Sequence, residues 1–282
     1  MYPVNQNNKL VLFDKSLVHV GDTDFSRSIF KDELTLFYQP QLLVQNNSIS
    51  GIETLLRWYH PIFGLISPSI FLVDSPTTRI SPSISKWIFD EAFFKFSDWH
   101  KQGLLSHLSI NLSPEQFYGN ELVKSIIKRL ERHNLDSILI EIEVSESTLS
   151  QNIDMSQKIL RDLRGTIGLK VTIDNFGQKY FSIDGLTIFP LDTVKICSSL
   201  LQKIDMDLGN RKLLESIVDL SKKLNMRCIA QGVESLEQFD FLKSIEIDSV
   251  QGNFICAPVS SEVMTKLLQT DSLTSKLLAY SV

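Results

Sequence analysis

The sequence predicts an α/β protein, a modified TIM (β/α)8 barrel with one antiparallel strand near the start of the chain. Two observations support this prediction. Strand-like and helical segments alternate from about residue 104 onward, which is typical of βαβ crossovers and a parallel sheet. Two earlier strand-like segments, separated by a turn, predict an antiparallel hairpin. Together these segments give eight strands in roughly 255 residues, which matches a closed barrel better than a six-stranded open sheet.

The elements follow from local patterns along the chain. The hairpin pairs 34–40 with 49–56 across a polar turn at 45–48. Short helices are predicted over 25–32 and 68–74, and a long amphipathic helix over 83–102. The other predicted strands are 108–111, 138–144, 171–174, 192–196, 227–231 and 249–252. A helix follows the first of these strands, with Ser113 as its cap and Pro114 in its first turn. The helices after the other strands are predicted near 152–164, 180–187, 209–224, 235–244 and 260–278. We expect residues 1–23 to form an N-terminal extension and 24–282 to form the barrel domain.

Composition excludes several classes of protein. With 43% hydrophobic and 22% charged residues, the chain has the balance of a soluble globular protein. A net charge of −5 argues against a general nucleic-acid binder. We expect no membrane span, because no apolar run approaches the roughly 18 residues that one needs. Three widely separated cysteines suggest neither a disulfide framework nor a zinc site, so we expect a cytoplasmic protein.

Polar residues stand at or near the ends of most of the predicted strands. The clearest case is Asp174 with Asn175, which follow an apolar strand and precede Gly177. In a closed barrel such strand ends converge on one face. The residues concerned are Glu53, Asn111, Glu143, Asp174, Asn175, Lys195, Gln231 and Gln251.

Three carboxylates in one pocket repel one another unless a cation lies between them, and carboxylate and amide oxygens are ligands of hard cations. The set therefore fits metal-assisted phosphoryl chemistry, in which two ions stabilise the attacking and leaving oxygens. The alternative reading is structural: each residue separately could be a turn former, a helix cap or part of a solvated rim.

The sequence resembles the EAL domain, the bacterial phosphodiesterase module that acts on cyclic di-GMP. The resemblance extends from about Asp24 to about Leu268. The matching motifs, in chain order, are Glu53-Thr-Leu-Leu-Arg57-Trp58, Asn111-Leu-Ser113, Glu143-Val-Ser-Glu146, Asp174-Asn175-Phe-Gly177, Pro190-Leu-Asp192-Thr-Val-Lys195, Ala230-Gln231-Gly-Val-Glu234 and Gln251-Gly252.

The resemblance implies a metal site and a water-activating group. Glu53, Asn111, Glu143 and Asp174 match the ligands of the family's first metal, which implies Mg²⁺ or Mn²⁺ as cofactor. Lys195 matches the lysine that contacts the attacking water. The first half of the family's metal centre is therefore expected to be intact.

The resemblance also implies a nucleotide pocket and a loop anchor. Arg57 matches a phosphate-contacting arginine, and Gln251 matches a residue that lines the nucleotide pocket. We assign Glu234 and Gln39 to the same ligand-binding group. Glu146 matches the anchor of the loop after Asp174, which in the family helps couple the site to dimerisation. A homodimer is expected on this ground alone.

The sequence departs from the family at two catalytic positions. Asn175 stands where the family has its second aspartate, and Gln231 stands where it has the glutamate of Ala-Glu-Gly. Both changes keep the shape and remove a negative charge, which weakens the attraction for a second dication. Neither amide can act as a general base at neutral pH. Lys179 and Phe181 also replace a glycine and a serine of the family in the following loop, and 77–79 lacks the usual acidic-glycine stretch.

These departures leave two main hypotheses. The first is a catalytically impaired EAL domain that binds cyclic di-GMP, a protein partner such as a transcription regulator, or both. The second is a weak metal-dependent phosphodiesterase that produces linear pGpG. A barrel enzyme with unrelated chemistry is a third hypothesis, which the number of ordered motifs disfavours.

Overall fold

The structure is a computed structural model that describes residues 28, 31–68, 81–105, 107–178, 183–202, 204 and 208–270. The strands are β1 Leu34–Leu43, β2 Ile49–His60, β3 Gly64–Ile66, β4 Leu108–Leu112, β5 Ile140–Ser145, β6 Lys170–Phe176, β7 Thr193–Ile196, β8 Arg227–Gln231 and β9 Ser249–Gln251. The α-helices are α1 Pro82–Lys101, α2 Pro114–Phe117, α3 Leu122–His133, α4 Glu146–Leu149, α5 Ile153–Asp162, α6 Ile183–Ile188, α7 Ser198–Leu201, α8 Leu208–Lys223, α9 Leu236–Ser244 and α10 Ser261–Thr270.

Eight of the strands close into a barrel. The sheet runs in the order β1-β9-β8-β7-β6-β5-β4-β2-β3, and an additional pairing between β1 and β2 completes the ring. β1 is antiparallel to both of its neighbours, while β2 and β4 to β9 pair in parallel with one another. The prediction of a modified TIM barrel with one antiparallel strand near the start is therefore confirmed.

The barrel strands present apolar side chains outward to the helices. On β5, Ile140, Ile142 and Val144 alternate with Glu141 and Glu143, as a strand with two different faces requires. The three apolar residues are fully buried in the hydrophobic core. The two glutamates are just as well buried, so they lie in the interior of the barrel.

The long helix α1 packs against the outside of the barrel. Ser81 caps it by accepting a hydrogen bond from the backbone N–H of Ile84, and Pro82 occupies its first turn. Trp99 near its end contacts Tyr38 of β1 edge-on, with ring centroids 4.8 Å apart. The capping predicted at Ser113 is also present, as a reciprocal capping box with Gln116.

Several predicted boundaries were wrong. β2 continues to His60 instead of ending at residue 56, because Trp58, Tyr59 and His60 pair with the unpredicted strand β3. The strand predicted to begin at 138 begins at Ile140, because Asp136 caps a 3-10 turn over Ser137–Leu139. Among the other predictions, residues 1–23, most of 25–32, most of 68–74 and 271–278 lie outside the described residues.

Within the described part of the chain, no helix combines the length and the apolar character that crossing a membrane requires.

Candidate functional site

Side chains from seven strands, β2 and β4 to β9, meet inside the carboxyl end of the barrel. Glu53 of β2 is the centre of this group: one of its oxygens accepts a hydrogen bond from Asn111 Nδ2 at 2.5 Å. The other accepts from Lys195 Nζ at 2.9 Å and from Gln251 Nε2 at 2.6 Å. These contacts join residues up to 198 positions apart in the sequence. The convergence expected from the strand ends is therefore present in the structure.

Lys195 supplies a positive charge between the carboxylates. Its side chain is completely buried, and Nζ also lies 2.6 Å from Glu143 Oε2. Burial alone would lower the pKa of Lys195, but the carboxylates of Glu143, Glu53 and Asp174 raise it above its usual value. The lysine is therefore charged at neutral pH.

The carboxylates respond differently to this environment. Burial opposes the ionisation of Glu53, but Lys195 and two N–H donors hold its pKa below its usual value. Burial and repulsion from Glu53 raise the pKa of Glu143 well above its usual value, although Lys195 acts in the opposite direction. Burial, together with repulsion from Glu53, also raises the pKa of Asp174. The pocket thus contains more acidic groups than one lysine balances.

The two amides that replace acidic residues both contact Asp174. Asn175 Nδ2 donates to Asp174 Oδ2 at 2.5 Å, and Gln231 Nε2 donates to Asp174 Oδ1. A carboxylate at either position would be an acceptor and would repel Asp174. Each substitution therefore exchanges an acceptor for a donor, and each oxygen of Asp174 accepts a hydrogen bond from one of these amides.

Two glutamines extend the site toward β1. Gln251 Nε2 donates to Gln39 Oε1 at 2.9 Å in addition to Glu53. Gln39 Nε2 in turn donates to the backbone carbonyl of Cys256 at 3.0 Å. Both glutamines belong to the predicted ligand-binding group, and the structure brings them together. Their direct contact was not predicted.

The other predicted ligand-binding residues lie apart from this network. Arg57 is buried four residues beyond Glu53 on β2, with Nη1 donating to the carbonyl of Leu56 at 2.8 Å. Its Nε is buried and has no hydrogen-bond partner among the described residues. Glu234 is exposed on the loop after β8, and within the described residues its carboxylate makes no hydrogen bond to the site. Its backbone N–H donates to Gln238 Oε1 at 2.8 Å.

Glu146 lies where a loop anchor is expected. It is buried at the start of α4, and its Oε2 accepts a hydrogen bond from the backbone N–H of Gly177 at 3.2 Å. Gly177 follows β6 directly, so the contact fixes the first part of the loop after Asp174. The substituted positions Lys179 and Phe181, like 77–79, lie outside the described residues.

Sequence reasoning missed a layer of polar residues beneath the site. Glu141 is buried in the barrel interior and accepts hydrogen bonds from Thr172 Oγ1 at 2.6 Å and Thr193 Oγ1 at 2.5 Å. Burial opposes its ionisation, but Arg227 and the two hydroxyls keep its pKa below the usual value. The alternation of β5 could have revealed Glu141, since it shares a face with Glu143.

The site partly fits the divalent cation that the sequence analysis predicts. Glu143 Oε1 is a buried carboxylate oxygen with no hydrogen-bond partner among the described residues, and a hard cation prefers such an oxygen. However, no group of three or more His, Cys, Asp or Glu side chains in the described ranges is arranged to hold an ion. Lys195 Nζ lies between Glu53 and Glu143 and separates them. The metal-ligand assignment therefore stays a prediction.

Comparisons with known proteins agree with this architecture. The EAL domain family model matches residues 22–258. The bifunctional diguanylate cyclase/cyclic di-GMP phosphodiesterase MucR of Pseudomonas aeruginosa is 34% identical over 240 residues, which cover 85% of this chain and 35% of MucR. Signaling protein YkoW of Bacillus subtilis is 32% identical over 235 residues, covering 83% of this chain and 29% of YkoW. The chain thus spans about a third of the length of the curated relatives it matches.

A solved structure supports the same assignment. The PaMucR phosphodiesterase in complex with c-di-GMP superposes with a TM-score of 0.81 at 33% identity, covering 86% of this chain and 98% of that chain. The match extends over nearly all of the barrel. By its sequence, its topology and the convergence of its motifs, the chain belongs to the EAL domain family.

Proposed function

We propose that this chain is a catalytically impaired EAL domain of the cyclic di-GMP system, which acts by binding cyclic di-GMP, a protein partner, or both. One observation carries the proposal: the amides of Asn175 and Gln231 both donate hydrogen bonds to Asp174. Groups that act as donors toward a carboxylate do not present an oxygen to a cation at the same contact.

The loss of charge argues in the same direction. Relative to the family pattern, Asn175 and Gln231 remove two formal negative charges, which a second dication would need. Neither side chain can take a proton from water at neutral pH, and removal of a positioned acid–base group costs about 10²-fold or more in rate. Hydrolysis is therefore expected to be slow or absent.

The remaining residues suit nucleotide binding. The Nε–H of Arg57 has no hydrogen-bond partner among the described residues, so it can donate to a phosphate oxygen. Gln251 and Gln39 form a polar pair beside Glu53, where a base or sugar could replace one of their mutual contacts. The relative PaMucR is described in complex with c-di-GMP, and this supports the same ligand for the present chain.

A divalent cation remains part of the proposal. Glu53, Asn111, Glu143 and Asp174 would hold Mg²⁺ or Mn²⁺. When bound, such an ion supplies charge stabilisation at phosphate oxygens and lowers the pKa of a bound water. Lys195 is charged and buried beside the same carboxylates, so it would orient a water or a phosphate oxygen there.

The alternative is a weak phosphodiesterase that converts cyclic di-GMP to linear pGpG. The observation that favours it is the clustering of Glu53, Asn111, Glu143 and Lys195. In this half of the site the chain keeps the residues of the family pattern. A single metal in this half-site could still support slow hydrolysis.

Partners and compartment are further parts of the proposal. We propose a protein partner, for example a transcription regulator, and a homodimer in which the anchor contact of Glu146 with Gly177 influences the dimer-forming loop. Direct nucleic-acid binding is not expected at a net charge of −5. The three free cysteines suit a reducing compartment, so we place the domain in the cytoplasm.

Calorimetric titration of cyclic di-GMP tests the binding half of the proposal. The titration is done with Mg²⁺ and again with EDTA. Saturable binding at micromolar strength or better supports a nucleotide receptor or a weak hydrolase. If no binding is detected under either condition, the nucleotide part of the proposal is wrong, and pull-down of partners becomes the test of the rest.

Restoring the two acidic residues tests the catalytic half. We expect the double variant Asn175→Asp with Gln231→Glu to hydrolyse cyclic di-GMP about 10²-fold faster than the native chain, because it regains a carboxylate base and two charges for a second metal. The same variant with Glu53→Gln is the matched control and should lose the gain. Rapid Mg²⁺- or Mn²⁺-dependent turnover by the native chain would show that the argument from charge is wrong.

A further inference from the structure

A second polar layer lies inside the barrel, one step below the candidate site. Four buried residues form this layer, and Glu141 of β5 is at its centre. The other three are Ser109, Thr172 and Thr193. In most TIM barrels these interior positions are filled by branched apolar side chains. A polar layer at this depth is costly unless its groups are hydrogen-bonded to one another.

The carboxylate of Glu141 joins its own strand, β5, to four other strands. Oε1 accepts two short hydrogen bonds, from Thr172 Oγ1 of β6 at 2.6 Å and from Thr193 Oγ1 of β7 at 2.5 Å. Oε2 accepts from Ser109 Oγ of β4 at 3.4 Å. The guanidinium of Arg227 at the start of β8 lies 3.7 Å from the same oxygen. These contacts therefore connect the five neighbouring strands β4 to β8 at one depth of the barrel interior.

The layer is in register with the site above it. On each of four parallel strands, the residue in the Glu141 layer stands two positions before a residue of the site. Because side chains two apart on a strand point to the same face, each layer residue lies directly below its site residue. The pairs are Ser109 with Asn111, Glu141 with Glu143, Thr172 with Asp174, and Thr193 with Lys195.

We propose that Glu141 is a positioning residue, which sets the spacing of Asn111, Glu143, Asp174 and Lys195 by fixing the strands beneath them. The ligand-binding consequence of this inference rests on the proposed function. The spacing itself does not, because it is a property of the unliganded barrel.

The contacts in the site are sensitive to such spacing. Lys195 Nζ lies 2.9 Å from Glu53 and 2.6 Å from Glu143, so a shift of β7 against β5 alters both ion pairs. Outer residues that orient functional groups typically change affinity or activity by about 10–100-fold when they are altered. A similar effect is expected here from a residue that touches neither ligand nor reacting atoms.

Two variants test the inference. Glu141→Gln removes the charge and one acceptor, and the milder Thr193→Val removes a single hydroxyl while keeping the shape. Thr265→Val is the matched control: Thr265 Oγ1 is also hydrogen-bonded, to the carbonyl of Ser261 and to the indole of Trp99, but it lies on α10 outside the barrel. Thermal unfolding of all three variants measures how far stability alone has changed.

Two readouts separate positioning from stability. The first is the NMR signal of the side-chain amides of Asn111, Gln231 and Gln251 in the unliganded protein. The second is the Kd for cyclic di-GMP. Glu141→Gln should shift the amide signals and raise the Kd about tenfold. Thr193→Val should also shift the amide signals and should raise the Kd roughly threefold. Thr265→Val should leave both unchanged even at an equal loss of Tm.

Each outcome decides the inference. If the amide signals and the Kd of Thr193→Val match those of Thr265→Val at equal Tm, Glu141 and its threonines are structural only and the inference is wrong. If Glu141→Gln does not fold, the comparison of Thr193→Val with Thr265→Val still decides. If the native chain does not bind cyclic di-GMP, the proposed function fails on that ligand, while the amide signals still test the positioning role.

Discussion

At the scale of single residues, the site is governed by the balance between hydrogen-bond donors and acceptors. The two buried carboxylates of Glu53 and Glu143 and the partly buried Asp174 require cations or N–H groups. The chain supplies them from Lys195 and from four amide side chains. An EAL domain with acidic residues at 175 and 231 would lack two of these donors and would depend more on metal ions. This chain is therefore expected to hold its site together without a metal.

Lys195→Met tests this internal neutralisation. Removal of one partner from a buried ion pair costs about 3–5 kcal/mol, so the variant should have a markedly lower Tm. Mn²⁺ should raise the Tm of the variant more than that of the native chain, because the ion can take the place vacated by the ammonium group. Thermal unfolding with Mn²⁺ and with EDTA provides the measurement.

The matched control for this variant is Lys222→Met. Lys222 forms an ion pair with Glu246 at 3.1 Å on the surface, where such pairs contribute about 0–1 kcal/mol. It should show little change and no response to Mn²⁺. Equal Tm values for Lys195→Met in Mn²⁺ and in EDTA would contradict the prediction.

Cys228 gives a pH-dependent prediction at the same scale. Burial raises the pKa of its thiol from 9.0 to about 12. Since the folded pKa is raised, the neutral thiol contributes stability that is complete below pH 9.0 and is lost as the pH rises through about 12. Cys228→Ala should therefore lose less stability than the native chain over this range.

Thiol labelling at pH 8 offers an independent check. Cys228 should stay unlabelled in the folded protein, whereas the half-buried Cys256 should react. Labelling of Cys228 as fast as of Cys256 would contradict the assignment of a buried neutral thiol.

At the scale of elements, the end of β6 determines how Asp174 and Asn175 are presented. The register with β7 shifts between Ile173 and Phe176, and Asn175 has a left-handed backbone with φ of 57°. Asparagine tolerates this conformation better than most residues. The irregular strand end allows two consecutive polar side chains, those of Asp174 and Asn175, to reach the same site.

Gly177→Ala tests the conformation of this strand end. Gly177 has φ of 88°, and an added Cβ would lie 2.5 Å from Leu200 Cδ1. The left-handed backbone alone costs about 1–2 kcal/mol, so the unfolding free energy should fall by at least this amount. Chemical denaturation gives the value.

Gly165→Ala is the control glycine variant. An added Cβ there meets no atom within 4 Å, and the residue lies in the helical turn Leu163–Ile167. We expect a change within about 0.5 kcal/mol or a small gain. A similar loss in both variants would show that the conformation of Gly177 is not required.

Prediction from sequence succeeded for elements with strong patterns and failed for short ones. The hairpin and α1 were predicted because alternation and amphipathic spacing extend over many residues. β3 was missed because its three residues, Gly64–Ile66, are too short to show a period. Glu141 was missed because it lies within its strand, whereas the pattern that identified the site residues is polarity at the strand ends. Its partners Thr172 and Thr193 look like ordinary strand formers.

At the scale of the whole molecule, the site is assembled from strands distributed over the entire barrel. Sequence analysis could name the residues of the ring, since barrel strands of one direction end on the same face. It could not assign donors to acceptors, because the contacts of Lys195 with Glu53 and of Gln251 with Gln39 depend on how the strands are staggered around the closed barrel.

Ligand binding should therefore stabilise the barrel as one unit. If cyclic di-GMP binds the folded chain alone, a concentration of 100 times its Kd adds about 2.7 kcal/mol to the unfolding free energy. Calorimetry should show a single unfolding transition that moves to higher temperature, while cyclic di-AMP, the control nucleotide, leaves it in place. A second transition that the ligand does not move would contradict this view.

The pairing of β1 with β9 has a consequence for how the protein is made. Leu42 and Leu43 pair with Val250 and Ser249, so an early strand needs a partner from close to the end of the family region. On the ribosome the hairpin of β1 and β2 emerges before the other strands, and residues 61–248 must be translated before β9 follows. Until then Glu53 lacks Gln251, and the nascent chain has an open sheet with a half-built pocket. The ligand can therefore meet a complete site only after translation has passed β9.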